Sequence, residues 1–152
     1  MHASAPSPPL DLTTCTCFAV RRAARHVTQA FDRSLAPTGL RITQFSLLSR
    51  LSRSGPRNIQ ALAQEMGLDR TTLGRNLRPL ERDGLVTIGI DPSDRRGRAL
   101  QITPLGEAKR QEALGYWKAA QARFRETYGP EQTKALHATL DAVASLDLGA
   151  MS

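Results

Sequence analysis

NIQALAQEMGLDRTTLGRNLRPLERDG, residues 58–84, carries the signature of the fold. Asn58 is a side chain that caps helices, and Ile59, Leu62, Ala63 and Met66 behind it fall on one helical face. Gly67 follows, the residue type that most readily ends a helix in the left-handed conformation. Asp69 is a second cap. It opens a helix from Arg70 to about Asp83 whose inward positions are Leu73, Leu77 and Leu80. Gly84 ends that helix. Pro79 sits inside it, removes the bond to the Arg75 carbonyl and costs roughly 3 kcal/mol in an ordinary helix interior. A bend near Arg75–Pro79 is expected, with packing offsetting the cost.

Toward the C-terminus, residues 85–90 (LVTIGI) and 99–103 (ALQIT) are rich in β-branched and apolar residues. Between them lies the polar segment DPSDRRGR, residues 91–98, which contains a proline and a glycine. This pattern predicts a β-hairpin with Arg95, Arg96 and Arg98 at its tip. Two short helices joined by a tight turn, then a basic hairpin, make a winged helix-turn-helix. The fold class expected is therefore mainly α with a small β element.

Toward the N-terminus, Phe45, Leu48 and Leu51 are at helical spacing, Thr43 is the expected N-cap, and Ser54-Gly55-Pro56 closes the element. Further upstream, Val20, Ala24, Val27, Phe31 and Leu35 follow steps of four, three, four and four. Arg21, Arg22, Arg25 and Arg33 lie off that stripe, and Pro37 and Gly39 end the helix. Beyond the hairpin, Thr103 caps a long helix with Pro104 at its first position. Its stripe is Leu114, Trp117, Ala120, Phe124 and Tyr128. Gly129-Pro130 breaks the chain, and a last helix over about 131–146 carries Leu136, Leu140 and Val143. The expected organisation is a flexible arm over 1–10, a dimerisation helix region over 11–42, a DNA-binding module over 43–103 and further dimerisation helices over 104–148. The long terminal helices have apolar stripes that a second copy of the chain would bury.

The 152 residues are 40% apolar and 23% charged, which is ordinary for a globular chain and excludes disorder throughout. Lys plus Arg number 21 against 14 for Asp plus Glu. Lysine supplies only Lys109, Lys118 and Lys134, so arginine dominates. Its planar fork of donors suits phosphate oxygens and guanine edges, which makes nucleic acid the leading partner. The recognition face expected on the second short helix is Arg70, Thr71, Thr72, Arg75 and Asn76, with Arg78 at its flank. Arginine grips guanine in two places, asparagine does so for adenine, and a threonine methyl meets a thymine methyl. The hairpin would place one of its arginines in an adjacent minor groove.

Residues 59–86, followed by DPSDRRGRALQITPLG at 91–106, resemble the MarR family of bacterial transcription regulators. The resemblance extends over about residues 11–147. It departs at Ile88, where many members carry a basic residue, and at Pro79. It implies a homodimer on a pseudo-palindromic double-stranded operator, usually as a repressor, with the first and last helices forming the dimer. It also implies that Arg96 is the minor-groove arginine of the wing and that Asp94 holds the wing arginines in position. A small aromatic or phenolic acid bound between dimer part and wing module is a further implication. Phe18, Arg22, Phe45 and Trp117 are the candidate lining.

Cys15 and Cys17 are the only cysteines, too few for a disulfide framework. Thr13 and Thr14 suggest a helix start just before them. A thiol in a first helical turn near Arg21 and Arg22 is a candidate for redox sensing. An intersubunit disulfide and a shared thiolate site for a soft metal or metalloid are the other readings, and packing as small apolar residues is the bland one. His2, His26 and His137 have no ligand spacing, so no metal site is expected from them, and no cofactor is expected. No nucleophile–base set, paired carboxylates or phosphate loop marks an enzyme. No apolar run suggests a membrane span and no secretory signal opens the chain, so a cytoplasmic location is expected. A winged module used for protein contact, without DNA, is the alternative function. Arg75 and Asn76 at the reading positions argue against it.

Overall fold

Six helices and three short strands make up the computed structural model, which describes residues 12–149. The arm expected over 1–10, and His2 with it, lie outside the described residues. A 3-10 turn over Leu12–Thr14 leads to α1 (Thr16–Leu35). The helix start placed at Thr13-Thr14 therefore moves. Cys15 is the N-cap, and its Sγ accepts the Phe18 N–H at 3.5 Å.

After a tight turn at Ala36–Thr38, α2 runs over Ile42–Ser54. Thr43 is not its cap. The helix begins at Ile42, with Arg41, two residues before Thr43, in the cap position. The Ile42 N–H donates to Asp32 Oδ1 of α1 at 2.8 Å, and the Arg41 N–H donates to Gln44 Oε1 at 2.9 Å. A carboxylate ten residues upstream thus satisfies one of the donors that every helix start leaves open.

β1 (Arg57–Asn58) precedes α3 (Ile59–Glu65), and α4 covers Arg70–Arg82. Both expected caps are present. The Ala61 N–H donates to Asn58 Oδ1 at 3.1 Å, and the Thr72 N–H donates to Asp69 Oδ1 at 2.7 Å. Gly67 takes a φ of +63° in the turn between them. Helix α4 continues unbroken through Pro79, whose missing donor is tolerated because Leu77 and Leu80 on either side are buried.

Strands β2 (Val86–Ile90) and β3 (Arg98–Ile102) form the hairpin, in register from Val86↔Ile102 to Ile90↔Arg98. β1 adds to the other side of β3, with Arg57 opposite Leu100, so the antiparallel order is β1-β3-β2. Two residues are too few to show a period, and the sequence did not announce this strand. One core serves the whole module. Leu35 of α1, Leu47, Leu48 and Leu51 of α2, Leu62 of α3, Leu80 of α4 and Leu100 of β3 are all essentially inaccessible.

α5 (Pro104–Tyr128) and α6 (Pro130–Ala144) complete the chain. Thr103 caps α5 as expected, accepting the Gly106 N–H at 3.0 Å and donating to the Gly84 carbonyl at 2.6 Å. Glu107 forks onto Arg110 in the first turn, and that guanidinium holds its carboxyl down at about 2. The outer stripes are less covered than the spacing alone implies. On α1 only Phe31 and Leu35 are buried. On α6 Leu140 and Val143 remain 45% and 40% exposed, and Tyr128 at the end of α5 is 50% exposed. Among the described residues no helix is long and apolar enough to cross a membrane.

Candidate nucleic-acid interface

Helix α4 is strongly two-faced. Leu73, Leu77 and Leu80 are buried, while Arg70, Thr71, Arg75 and Arg78 are exposed. Thr72 and Asn76 are half-buried and already engaged. Thr72 Oγ1 donates to Asp69 Oδ2 at 3.1 Å, and Asn76 Nδ2 donates to the Thr72 carbonyl at 2.8 Å. The Asn76 carbonyl accepts from Gln44 Nε2 at 3.4 Å, which ties α4 to α2. The outermost reading positions of the free protein are therefore Arg70, Thr71 and Arg75. One N–H of the Asn76 amide is spent within its own helix, which leaves the second N–H and Oδ1 for reading a base.

Asp69 is held below the usual carboxylate range by the Thr72 amide and hydroxyl, with a smaller contribution from Arg75. A carboxylate at the first turn also complements the positive end of the helix. Charge is distributed otherwise on the outward face. Among the described residues no carboxylate lies within 4 Å of the guanidinium of Arg70, Arg75, Arg78, Arg95, Arg96 or Arg98. Six cationic side chains on the recognition helix and wing are thus left to an external anion.

Asp94 meets the wing at Arg96, through the main chain. Its carboxylate accepts the backbone N–H of Arg96 at 3.0 Å and makes no ion pair with a wing guanidinium. Asp94 shapes the tip through the main chain. The anchor that sequence reasoning missed is Asp91, buried at the wing root. It accepts from Asn58 Nδ2 and from the Ser93 N–H, each at 2.8 Å, and the Asn58 amide foremost holds its carboxyl below the ordinary range. An Asp-Pro-Ser run is a signature for such a turn, because an aspartate readily bonds the backbone two residues on.

The four residues expected to line an effector cleft fall into two pairs. Phe45 is buried against Trp117, with ring centroids 5.9 Å apart. Arg22 lies over the ring of Phe18, which is 56% exposed near the start of α1. A cavity of about 570 Å³ among the described residues lies between α1 and α5 and is lined by none of the four. His26, Arg33 and Arg123 edge it, with Phe31 and Phe124 as its aromatic walls. Cys15 is half-buried and Cys17 exposed, both as free thiols. Among the described residues no cluster of three or more His, Cys, Asp or Glu could hold a metal ion.

A shared buried core, a two-faced recognition helix and an arginine-tipped wing define a winged helix-turn-helix regulator of the DNA-binding class. Comparison with known proteins narrows the class. The MarR family model matches residues 40–97. The M. tuberculosis transcriptional regulator MosR, solved in complex with DNA, is 38% identical over 86% of this chain and 97% of its own, with a TM-score of 0.72. CouR from Rhodococcus jostii RHA1, solved bound to p-coumaroyl-CoA, is 29% identical with a TM-score of 0.73, covering 91% of this chain and 97% of its own. YxaD of Bacillus subtilis (strain 168), an uncharacterized HTH-type transcriptional regulator, is 38% identical over 77 residues, which span 50% of this chain and about half, 54%, of YxaD. The chain belongs to the MarR family of transcriptional regulators, which are not enzymes.

Proposed function

We propose that the chain works in the cytoplasm as a homodimer that represses transcription by holding a pseudo-palindromic operator, and that a small molecule or a thiol modification releases it. The observation that carries DNA binding is the set of arginines on α4 and the wing that have no carboxylate partner among the described residues. Solvated arginines on one helix alone would be ordinary. Here they are displayed on the two elements that a winged module offers to adjoining grooves. The stretch that matches the family model, residues 40–97, contains almost all of them.

Pairing of two chains is supported by where apolar surface remains. Ten large hydrophobic side chains are exposed among the described residues, and nine of them belong to α1, α5, α6 or the segment after α6. Phe18, Val20, Tyr128, Leu140, Val143 and Leu146 would otherwise face water. A second copy meets them with the same surface under two-fold symmetry. The tenth, Ile90, is on the wing.

For release, the α1–α5 cleft suits an aromatic acid, with rings on its walls and Arg33, Arg123 and His26 for a carboxylate. Thiol modification is a second reading, favoured by Cys15 at the cap of the same helix. The test measures operator binding and dimer mass in parallel, under reducing conditions, under oxidant, and with a phenolic acid such as p-coumarate. Release by the acid alone assigns the cleft. Release by oxidant that Cys15→Ser or Cys17→Ser abolishes assigns the thiols. Binding that neither treatment alters contradicts both routes.

A further inference from the structure

We propose that Asn58 and Asp91 form a latch that sets the wing against the helix-turn-helix, and that both are positioning residues for duplex binding. The inference rests on the DNA-binding reading above and adds to it the device that aims the wing.

Asp91 is the one charged side chain among the buried described residues, 8% exposed. A carboxylate withdrawn from water needs strong donors. It has the Ser93 N–H within its own turn and, 33 residues away in sequence, Asn58 Nδ2 at 2.8 Å. Asn58 spends its other amide atom on the Ala61 N–H, capping α3. Its orientation is therefore fixed by chemistry, since only Oδ1 accepts from an N–H and only Nδ2 donates to a carboxylate. Its backbone pairs opposite Ala99 in β3. One side chain thus joins the start of the first helix of the motif to the root of the wing. Serine, threonine or aspartate would cap α3 comparably. Aspartate has no proton to give a carboxylate, and a serine or threonine hydroxyl would have to accept from the helix amide and donate to Asp91 through one oxygen, where asparagine uses two separate atoms.

From Asp91 the linkage runs to the tip. The Asp94 N–H donates to the Asp91 carbonyl at 3.3 Å, and the Arg96 N–H donates to the Asp94 carboxylate at 3.0 Å. The Asp91 N–H donates to the Gly97 carbonyl at 3.0 Å and closes the loop. Space at the latch is tight. A Cβ on Gly97 would stand 3.0 Å from Asn58 Nδ2 and 3.3 Å from Asp91 Cβ. Arg95, Arg96 and Arg98, all exposed, hang from this single buried anchor.

The test uses Asn58→Asp, Asp91→Asn and the swapped double variant. Asn58→Asp keeps the cap acceptor but turns a donor into a second carboxylate facing Asp91. The double variant restores a donor–acceptor pair with its direction reversed, and the amide introduced at position 91 still accepts from the Ser93 N–H. In the free protein, amide hydrogen exchange at Ser93 and Arg96 should quicken in Asn58→Asp and return in the double variant, while α4 amides stay protected. On the duplex, Asn58→Asp should bind about tenfold more weakly with a shallower salt dependence, and the double variant should recover both. Asp91→Asn adds one positive charge, yet should bind no tighter than the parent. Unchanged exchange in Asn58→Asp, a double variant no better than Asn58→Asp, or tighter binding by Asp91→Asn overturns the latch. A parent chain that ignored duplex DNA would instead sink the functional reading, and exchange at Ser93 would still decide whether the latch exists.

Discussion

Arg75→Ala is expected to weaken operator binding by roughly 1–3 kcal/mol at each recognition helix, the discrimination that one good two-point contact to a base provides. Two helices on one operator make that about thirtyfold at the least, since 1.4 kcal/mol is about tenfold. The thermal midpoint should not move, because Arg75 is exposed and has no carboxylate within 4 Å among the described residues. Arg75→Lys separates charge from geometry. It should keep most of the affinity for random duplex and lose preference at one base pair, because an ammonium does not grip guanine at two points. Arg96→Ala should act differently and flatten the salt dependence, by about one unit of slope for each phosphate contact the wing loses. Titrations of matched and scrambled duplexes at several salt concentrations separate these outcomes. An Arg75→Ala protein that still distinguished the two duplexes as well as the parent would remove α4 from base reading.

The second large effect is on stability. A Cβ at Gly106 would overlap the Leu85 carbonyl oxygen and lie 2.9 Å from Ile102 Cγ1. That oxygen is not free to retreat, since it accepts the Thr103 N–H at 3.1 Å, and the Gly106 N–H is bound to Thr103 Oγ1. Gly106 is the point where the first turn of α5 meets the strand leaving α4. Gly106→Ala should therefore cost about 3 kcal/mol or more, at the upper end of overpacking penalties. For a chain of this size that lowers the midpoint by roughly 2–4 °C per kcal/mol. Gly74→Ala is the matched control. Its added Cβ meets nothing within 4 Å, so removing a glycine from a helix interior should stabilise by roughly 0.5–1 kcal/mol. Thermal melts of the two variants without DNA should move in opposite directions.

The features that can be read from sequence are those whose physics is local. Asn58, Asp69 and Thr103 each bond an amide three residues on, so the side chain and its partner lie within one window of sequence. The leucine spacing of α4 marks its buried face for the same reason. Thr43 is not the cap its position suggests, because the donor at Ile42 is met by Asp32 from another helix. The partnership of Asp91 with Asn58 crosses 33 residues, and nothing in either neighbourhood announces it. A family likeness ties Asp94 to the wing and gives its place but not its bond: it holds a backbone amide, not a guanidinium. The four residues expected to line a cleft form two pairs in the single chain, because spacing places residues on a helix face but not opposite one another. Phe45 and Trp117 close into the core, and Phe18 with Arg22 stays at the exposed start of α1. The stripes on α1 and α6 are visible as amphipathic helices, but what covers them lies outside a single chain.

The functional reading stands or falls on two copies of this chain sharing one duplex, each with a helix in the major groove. Two recognition helices related by a two-fold axis meet grooves about 34–36 Å apart, or about 10–10.5 base pairs. The decisive experiment is the mass of the complex on a selected duplex at low salt, combined with backbone footprinting of the same sample. Two chains per duplex and two protected patches one helical turn apart are predicted. One chain per duplex with a single patch, or no complex at low ionic strength, would contradict it.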